Sequence, residues 1–512
     1  MMKKLVFCLA GIVLFQGLMP AQTGGQANPT PYALGFSTYL SHTDKYAARF
    51  SIFADDEGYT YISGTTRDKN FPATKGAYQT ELKGEADAFI AKLSPDGKIV
   101  FATLIGGSKR EHHTGITVDE QGYIYLVGGT HSPDFPVTQG AYDTSFNGEG
   151  EWAGDVYVVK INPSGSDIVF STFLGGKVED TANQIAIDSK GNIVVAGCTC
   201  SADFPATEGV IDDKYTKQDS FLAKISSSGD KLLFSTSLGN GRYEMITGLA
   251  IDDRDNIYAA GFTFAADLPV TTDAVRRSMI KPKTPGYEGG SDHFLAKINE
   301  SGTKISYLSY FAAGGNLASN LAWTKPNRLL MTGSVNEEGF PVTGKAQAVK
   351  SPGAWDGFLS VFNSDDMTLA YSSRIGGKDA DHIISAHFLD QDTVVIGGIT
   401  SSSDFPLTDD ALFREYPAWE KTFNGTFFGR RKSFVSVVDI KNSRLLYSTY
   451  LGGCFQFQIH PDKAGNISFV AEAGQREAYG MTGFPVAGDA SGEPPTYLMV
   501  GRLVRGDKPT KK

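Results

Sequence analysis

The sequence predicts an all-β chain folded as a single seven-bladed β-propeller of four-stranded antiparallel blades. Two recurrent marks and the complementary ends of the chain predict it. The first mark, Phe-Pro-x-Thr-like, starts at Phe71, Phe135, Phe204, Leu268, Phe340, Phe405 and Phe484. The second, Phe/Tyr-Ser-Thr-x-Leu-Gly-Gly-like, starts at Phe36, Phe101, Phe170, Phe234, Tyr307, Tyr371 and Tyr447. Its copies lie roughly 64–76 residues apart, the kind of period that marks a repeat architecture.

One repeat reads as four strands. Residues 115–119 are short and alternating, 120–122 turn, and 123–128 are rich in β-branched and aromatic residues. A long loop carries Phe135-Pro136-Val137-Thr138. Residues 155–161 form a third strand, 162–165 are turn-forming, and 167–172 form a fourth. Four such strands make one propeller blade. Second strands recur at 59–63, 193–197, 257–261 and 394–398, and third strands at 87–93, 219–225, 292–298 and 356–362. An open solenoid is the alternative, but open arrays need distinct capping repeats.

The chain opens with a fourth-type strand at 34–40 and closes with a third-type strand at 497–504. Pairing the two completes a seventh blade and removes the open edge. The predicted organisation is a signal peptide at 1–21, a short linker at 22–33, the propeller at 34–506 and a basic tail at 507–512.

The period, the Asp-Phe-Pro-x-Thr loop and the Ser-Thr-x-Leu-Gly-Gly strand end resemble the bacterial seven-bladed β-propeller (SBBP) repeat family over nearly the whole mature chain. Residues 307–316 and Ala487 depart from the pattern. The resemblance implies a secreted or surface propeller in a bacterium, with no single shared activity.

Lys3 and Lys4 precede an apolar stretch at 5–18, and Ala21 is the expected last residue before cleavage. That stretch is short for a membrane span and no other candidate follows. The expected location is periplasmic, cell-surface or extracellular. A formal net charge of -10 without a long basic run disfavours nucleic acid. Cys198, Cys200 and Cys454 would remain after cleavage. The close spacing of the first two suits free structural thiols better than a bridge.

Turns between strands one and two, and three and four, are short and share one face. The long connections fall on the other, where function is expected. There, Glu111, Asp180, Glu244 and Asp381 recur at one position. They form either a polar ring at the channel mouth or carboxylates that accept bonds from their own loops. Residues outside the repeat are Arg110, His112, His113, His131, Arg242, Tyr243 and His382. Brought together with Glu111 and Asp381, the imidazoles and Tyr243 could move protons on an acidic polysaccharide. Trp152, Arg414, Tyr416 and Trp419, in two long loops, could stack on sugars or pair with their acid groups. No metal motif appears, so no cofactor is expected, and a divalent cation would lack motif support. The expected function is an exported binding protein that recognises a glycan or an envelope partner, a polysaccharide or a surface protein, through the long-loop face. The alternatives are a polysaccharide lyase or glycoside hydrolase, and a structural envelope protein.

Overall fold

A strand covered on both sides can be apolar throughout, whereas one facing water on one side must alternate. Both patterns occur here, sorted by strand position. A computed structural model of the chain describes residues 32–43, 50–148, 150, 154–215, 218–239, 243–280, 290–314, 320–336, 339–343, 355–415, 422–423, 426–427, 431–454, 456–473 and 496–506. The signal peptide, nearly all of the linker, the basic tail, Trp152, Arg242, Tyr416, Trp419 and the Phe484 mark lie outside the described residues.

The described strands form seven four-stranded antiparallel sheets and one small hairpin, Thr422–Phe423 with Thr426–Phe427. In blade 2 the strands are Glu111–Val118, Ile124–Thr130, Asp155–Ile161 and Ile168–Leu174, hydrogen-bonded in that order. Blades 1, 3, 4, 5 and 6 repeat the plan over 50–105, 180–237, 244–313, 320–375 and 381–452. First strands touch their neighbours in an unbroken cycle and so surround a central axis. Asp180–Ile187, a first strand, alternates buried and half-buried side chains. The second strand Ile124–Thr130 is buried throughout, because blades cover both of its faces.

Blade 7 combines Phe457–Pro461, Ile467–Ala473 and Thr496–Arg505 with the N-terminal strand Tyr32–Thr43. That strand pairs antiparallel with Thr496–Arg505, from Tyr32 opposite Arg505 to Thr43 opposite Thr496. The expected closure is therefore present. Leu40, Leu498 and Val500 share a core with Phe50, Ile62 and Phe89 of blade 1. Buried Arg502 donates to the Gly58 carbonyl of blade 1 and to Asp462 of its own blade. Thr60 and Ser468 hydroxyls meet at 2.7 Å across the same seam.

The two repeat marks bind each other. The Phe of the first mark packs on an aromatic ring of the third strand: Phe135 stacks on Tyr157 with centroids 4.6 Å apart, and Phe204 on Phe221 at 4.6 Å. Its Thr closes over the outermost strand. Thr138 N–H donates to the Ser171 carbonyl at 3.0 Å, and Ser171 N–H donates to Thr138 Oγ1 at 3.0 Å. The same exchange joins Thr74 to Ala102, Thr207 to Ser235, Thr271 to Leu308, Thr343 to Ser372 and Thr408 to Ser448. Backbone groups that an edge strand would offer to another chain are thereby occupied.

Removing residues 1–43 should leave Thr496–Arg505 as a bare edge and expose the blade 1 core. Calorimetry should show a large fall in Tm, and an unchanged Tm would contradict the clasp. Phe135→Ala should cost about 3–5 kcal/mol in denaturant unfolding.

Candidate functional site

First strands end in a recurrent aspartate that builds the turn into the second strand. Asp119 Oδ1 accepts the N–H groups of Gln121 (3.0 Å) and Tyr123 (2.8 Å), and its Oδ2 accepts the Tyr125 hydroxyl at 2.9 Å. Gly122 completes the turn at φ 82°. Asp55, Asp188, Asp252 and Asp462 accept bonds in the same way. Pinning these turns fixes the innermost strands and leaves an axial cavity of about 850 Å³ lined by all seven.

The lining is largely uncharged. Phe53, Trp323, His387 and His460 supply rings, and Ser51, Thr117, Gln184, Thr247, Asn320 and Gln458 supply hydroxyl and amide groups. Its charged members, Asp119, Glu120 and Asp188, sit in the short turns at the rim. Asp188 is ion-paired with buried Lys224 at 3.1 Å. His387 and His460, from blades 6 and 7, stack with centroids 4.4 Å apart, and Phe53 of blade 1 lies 4.7 Å beyond His460. Burial holds His460 down at about 4, and burial with the neighbouring imidazole holds His387 well below its ordinary value. Both rings are therefore neutral at neutral pH. His460 Nδ1 lies 2.9 Å from the Pro461 carbonyl and Trp323 Nε1 donates to Ser364 Oγ at 3.2 Å, which fixes both rings.

The cavity reaches the short turns, on the face opposite the one that loop length favours. None of the described residues expected from the sequence to form the site lines it. Glu111, Asp180, Glu244 and Asp381 are buried between blades rather than ringed around a channel mouth. Glu111 accepts the hydroxyls of Thr130 (2.9 Å) and Ser132 (2.5 Å), and Asp381 accepts Ser402 Oγ at 2.8 Å and Gly377 N–H at 2.7 Å. Asp180 accepts Thr199 and Ser201, and Glu244 accepts Thr263. They tie each interblade loop to the following blade. Burial pushes Glu111 and Asp180 up to about 7, and Asp155 and Asp381 up to about 6.

The other expected residues fall in blades 2, 4 and 6, which are not neighbours. His112 stacks edgewise on His131 at 5.5 Å. The backbone of Arg110 accepts a bond from His131, and that of His113 pairs with Gly128. Tyr243, at φ 67°, packs against Phe262 and Phe264. His382 Nδ1 lies 2.9 Å from Ser334 Oγ, and burial holds its imidazole at about 4. Arg414 donates to the Thr408 carbonyl at 2.7 Å, beside its own loop. Cys198 and Cys200 are half-buried and form no disulfide with each other, and burial pushes Cys454 up to about 12. Among the described residues no group of three or more His, Cys, Asp or Glu side chains is placed to hold a metal ion.

His387 and His460 stand on first strands at the register position that holds Phe53 in blade 1. The available signal was an aromatic ring at a strand position that holds Thr117, Ala186 and Ala250 in blades 2, 3 and 4.

No protein-family model matches the chain, and no curated protein sequence matches it. Solved structures similar to it include the Neurospora crassa Pan2 WD40 domain, at 12% identity over 94% of this chain and 97% of that one, with a TM-score of 0.43. Kuenenia stuttgartiensis hydrazine synthase is similar at 9% identity over 84% and 93%, with a TM-score of 0.40. The phage phi92 endosialidase is similar at 9% over 94% and 70%, with a TM-score of 0.41. The seven-bladed propeller stands on the sheet topology.

Gly175→Ala would place a Cβ 2.4 Å from Asp155 Oδ1, so it should sharply lower Tm, whereas a Cβ on Gly339 meets nothing within 4 Å and Gly339→Ala should be near neutral. The neutral imidazoles carry an acid penalty: a histidine whose folded pKa lies below about 6.5 loses stability as pH falls from there towards 4. His460→Phe should flatten that limb of the Tm–pH curve. An unchanged slope would mean that His460 protonates freely in the folded protein.

Proposed function

We propose that this protein is an exported binding module whose axial cavity takes an uncharged ligand rich in hydroxyl or amide groups, such as the end of a neutral glycan. The observation that carries this reading is the lining itself. Ring faces from Phe53, Trp323, His387 and His460 stand beside hydroxyl and amide groups, with carboxylates only at the rim. Aromatic faces pack on the C–H faces of sugars, and a few placed polar groups fix orientation within an otherwise preformed pocket. The neutral imidazoles carry no charge to attract an acidic sugar. Export is supported by Lys3, Lys4 and the apolar stretch at 5–18, and by the resemblance to SBBP repeats.

Titration calorimetry of the mature protein against neutral and uronate-containing oligosaccharides tests the ligand class. Binding of the neutral set should weaken about tenfold in Trp323→Ala, equivalent to about 1.4 kcal/mol. Preference for the uronates, or binding indifferent to Trp323→Ala, would place recognition elsewhere. Cell fractionation with an antibody to the mature chain tests export, and retention in the cytoplasm would refute it.

A further inference from the structure

We propose that the blade 1–2 and blade 2–3 interfaces are each closed by a proton shared between two buried carboxyl groups, Asp87 with Glu111 and Asp155 with Asp180. The ring then weakens as these protons are lost.

The glycine pairs that follow the fourth strands of blades 1 and 2, Gly106-Gly107 and Gly175-Gly176, report how close the groups are. A Cβ on Gly106 would lie 2.5 Å from Asp87 Cγ and 2.5 Å from Glu111 Oε2. A Cβ on Gly175 would lie 2.4 Å from Asp155 Oδ1 and 2.9 Å from Asp180 Oδ2. Carboxyls from successive blades thus crowd one glycine, and all four residues are at most 1% exposed.

Hydrogen-bond accounting says where each proton sits. Asp87 accepts Gln79 Nε2 (2.5 Å), Lys83 N–H (2.9 Å) and Gly84 N–H (3.2 Å), so both of its oxygens already accept hydrogen bonds. Both hydroxyls that reach Glu111 go to Oε1, and buried Oε2 has no hydrogen-bond partner. A proton on Oε2 removes a second bare charge from the interface and lets that oxygen donate towards Asp87. The next interface reverses the roles. Asp180 accepts Gly176 N–H at 2.7 Å and the hydroxyls of Thr199 and Ser201, and Asp155 Oδ1 is the oxygen without a partner.

Among the described residues no cation forms an ion pair with either carboxyl pair. Tyr157 faces Glu111, and no ion pair among the described residues joins Lys83, Lys109 or Arg110 to Glu111 or Asp87. Asp143 faces Asp155, and Tyr215, Cys200 and Glu179 surround Asp180. The contrasting case is the blade 5–6 interface. Asp356 and Asp381 flank Gly376 there, but Arg374 lies 3.6 Å from Asp356, so that pair is outside the proposal.

Carboxyls pushed up by burial bind protons in the folded state that the unfolded chain has released. Their stabilisation is complete below the unfolded pKa of about 4 and is lost as pH rises through about 6 for Asp155 and about 7 for Glu111.

Glu111→Gln and Asp155→Asn in the full chain imitate the protonated acid and cannot ionise. Relative to wild type, each Tm should be near unchanged at pH 5 and higher by roughly 1–3 °C at pH 8. Histidines titrate alike in both proteins and cancel in the difference. Variants less stable than wild type by an equal margin at both pH values would overturn the proposal, because the native groups would then be ionised. Infrared spectroscopy of wild type needs no variant. A buried carboxylic acid C=O band at pH 6 that bleaches towards pH 8 is expected, and its absence at pH 6 would equally overturn it.

Discussion

A sheet that is apolar on both faces has no stable way to end in water. Each blade here meets that condition. Its second and third strands are buried on both sides, so every blade needs a neighbour before it and after it. Only a ring satisfies all of them at once. The seam between blades 7 and 1 therefore has a shared apolar core like the other interfaces, and adds the buried guanidinium of Arg502 and a hydroxyl contact.

Within that ring the repeated residues serve packing and edge protection. The Phe of each loop fills a third-strand aromatic site and the Thr beside it occupies the outer strand. The glycine pair makes room for carboxyls from two blades, which any larger side chain would displace. What the repeat leaves open to variation is the inner surface of the first strands. Polar and aromatic groups there differ from blade to blade, although the backbone that holds them does not.

Strand positions were legible because seven copies constrain one another. Third strands expected at 87–93, 219–225 and 292–298 are Asp87–Leu93, Asp219–Ile225 and Asp292–Ile298. The clasp was legible from complementary ends. The acidic series was visible as a repeat, but its place was not. Glu111 and Asp180 turn into the interface because the following Thr and Ser hydroxyls capture them, a contact of about twenty residues' separation that period alone does not specify. Loop length pointed to one face, whereas the concavity opens on the other. Short turns cannot fill the space between small first-strand side chains such as Ser51, Gly115 and Ala186. His387 and His460 come together only because blades 6 and 7 are adjacent, which requires the ring itself.

The pairing of Tyr32–Thr43 with Thr496–Arg505 also sets a timetable. A ribosome adds about 5–20 residues per second, so the first strand waits roughly 20–90 s before its partner is made. Six blades can assemble from consecutive hairpins in that interval, but the seventh cannot. During synthesis the growing protein is an open arc with an unmated strand at its leading end. Such a strand is a target for a chaperone, or for the same strand on another nascent chain. The strand Thr496–Arg505 is thus the one that ends this exposure.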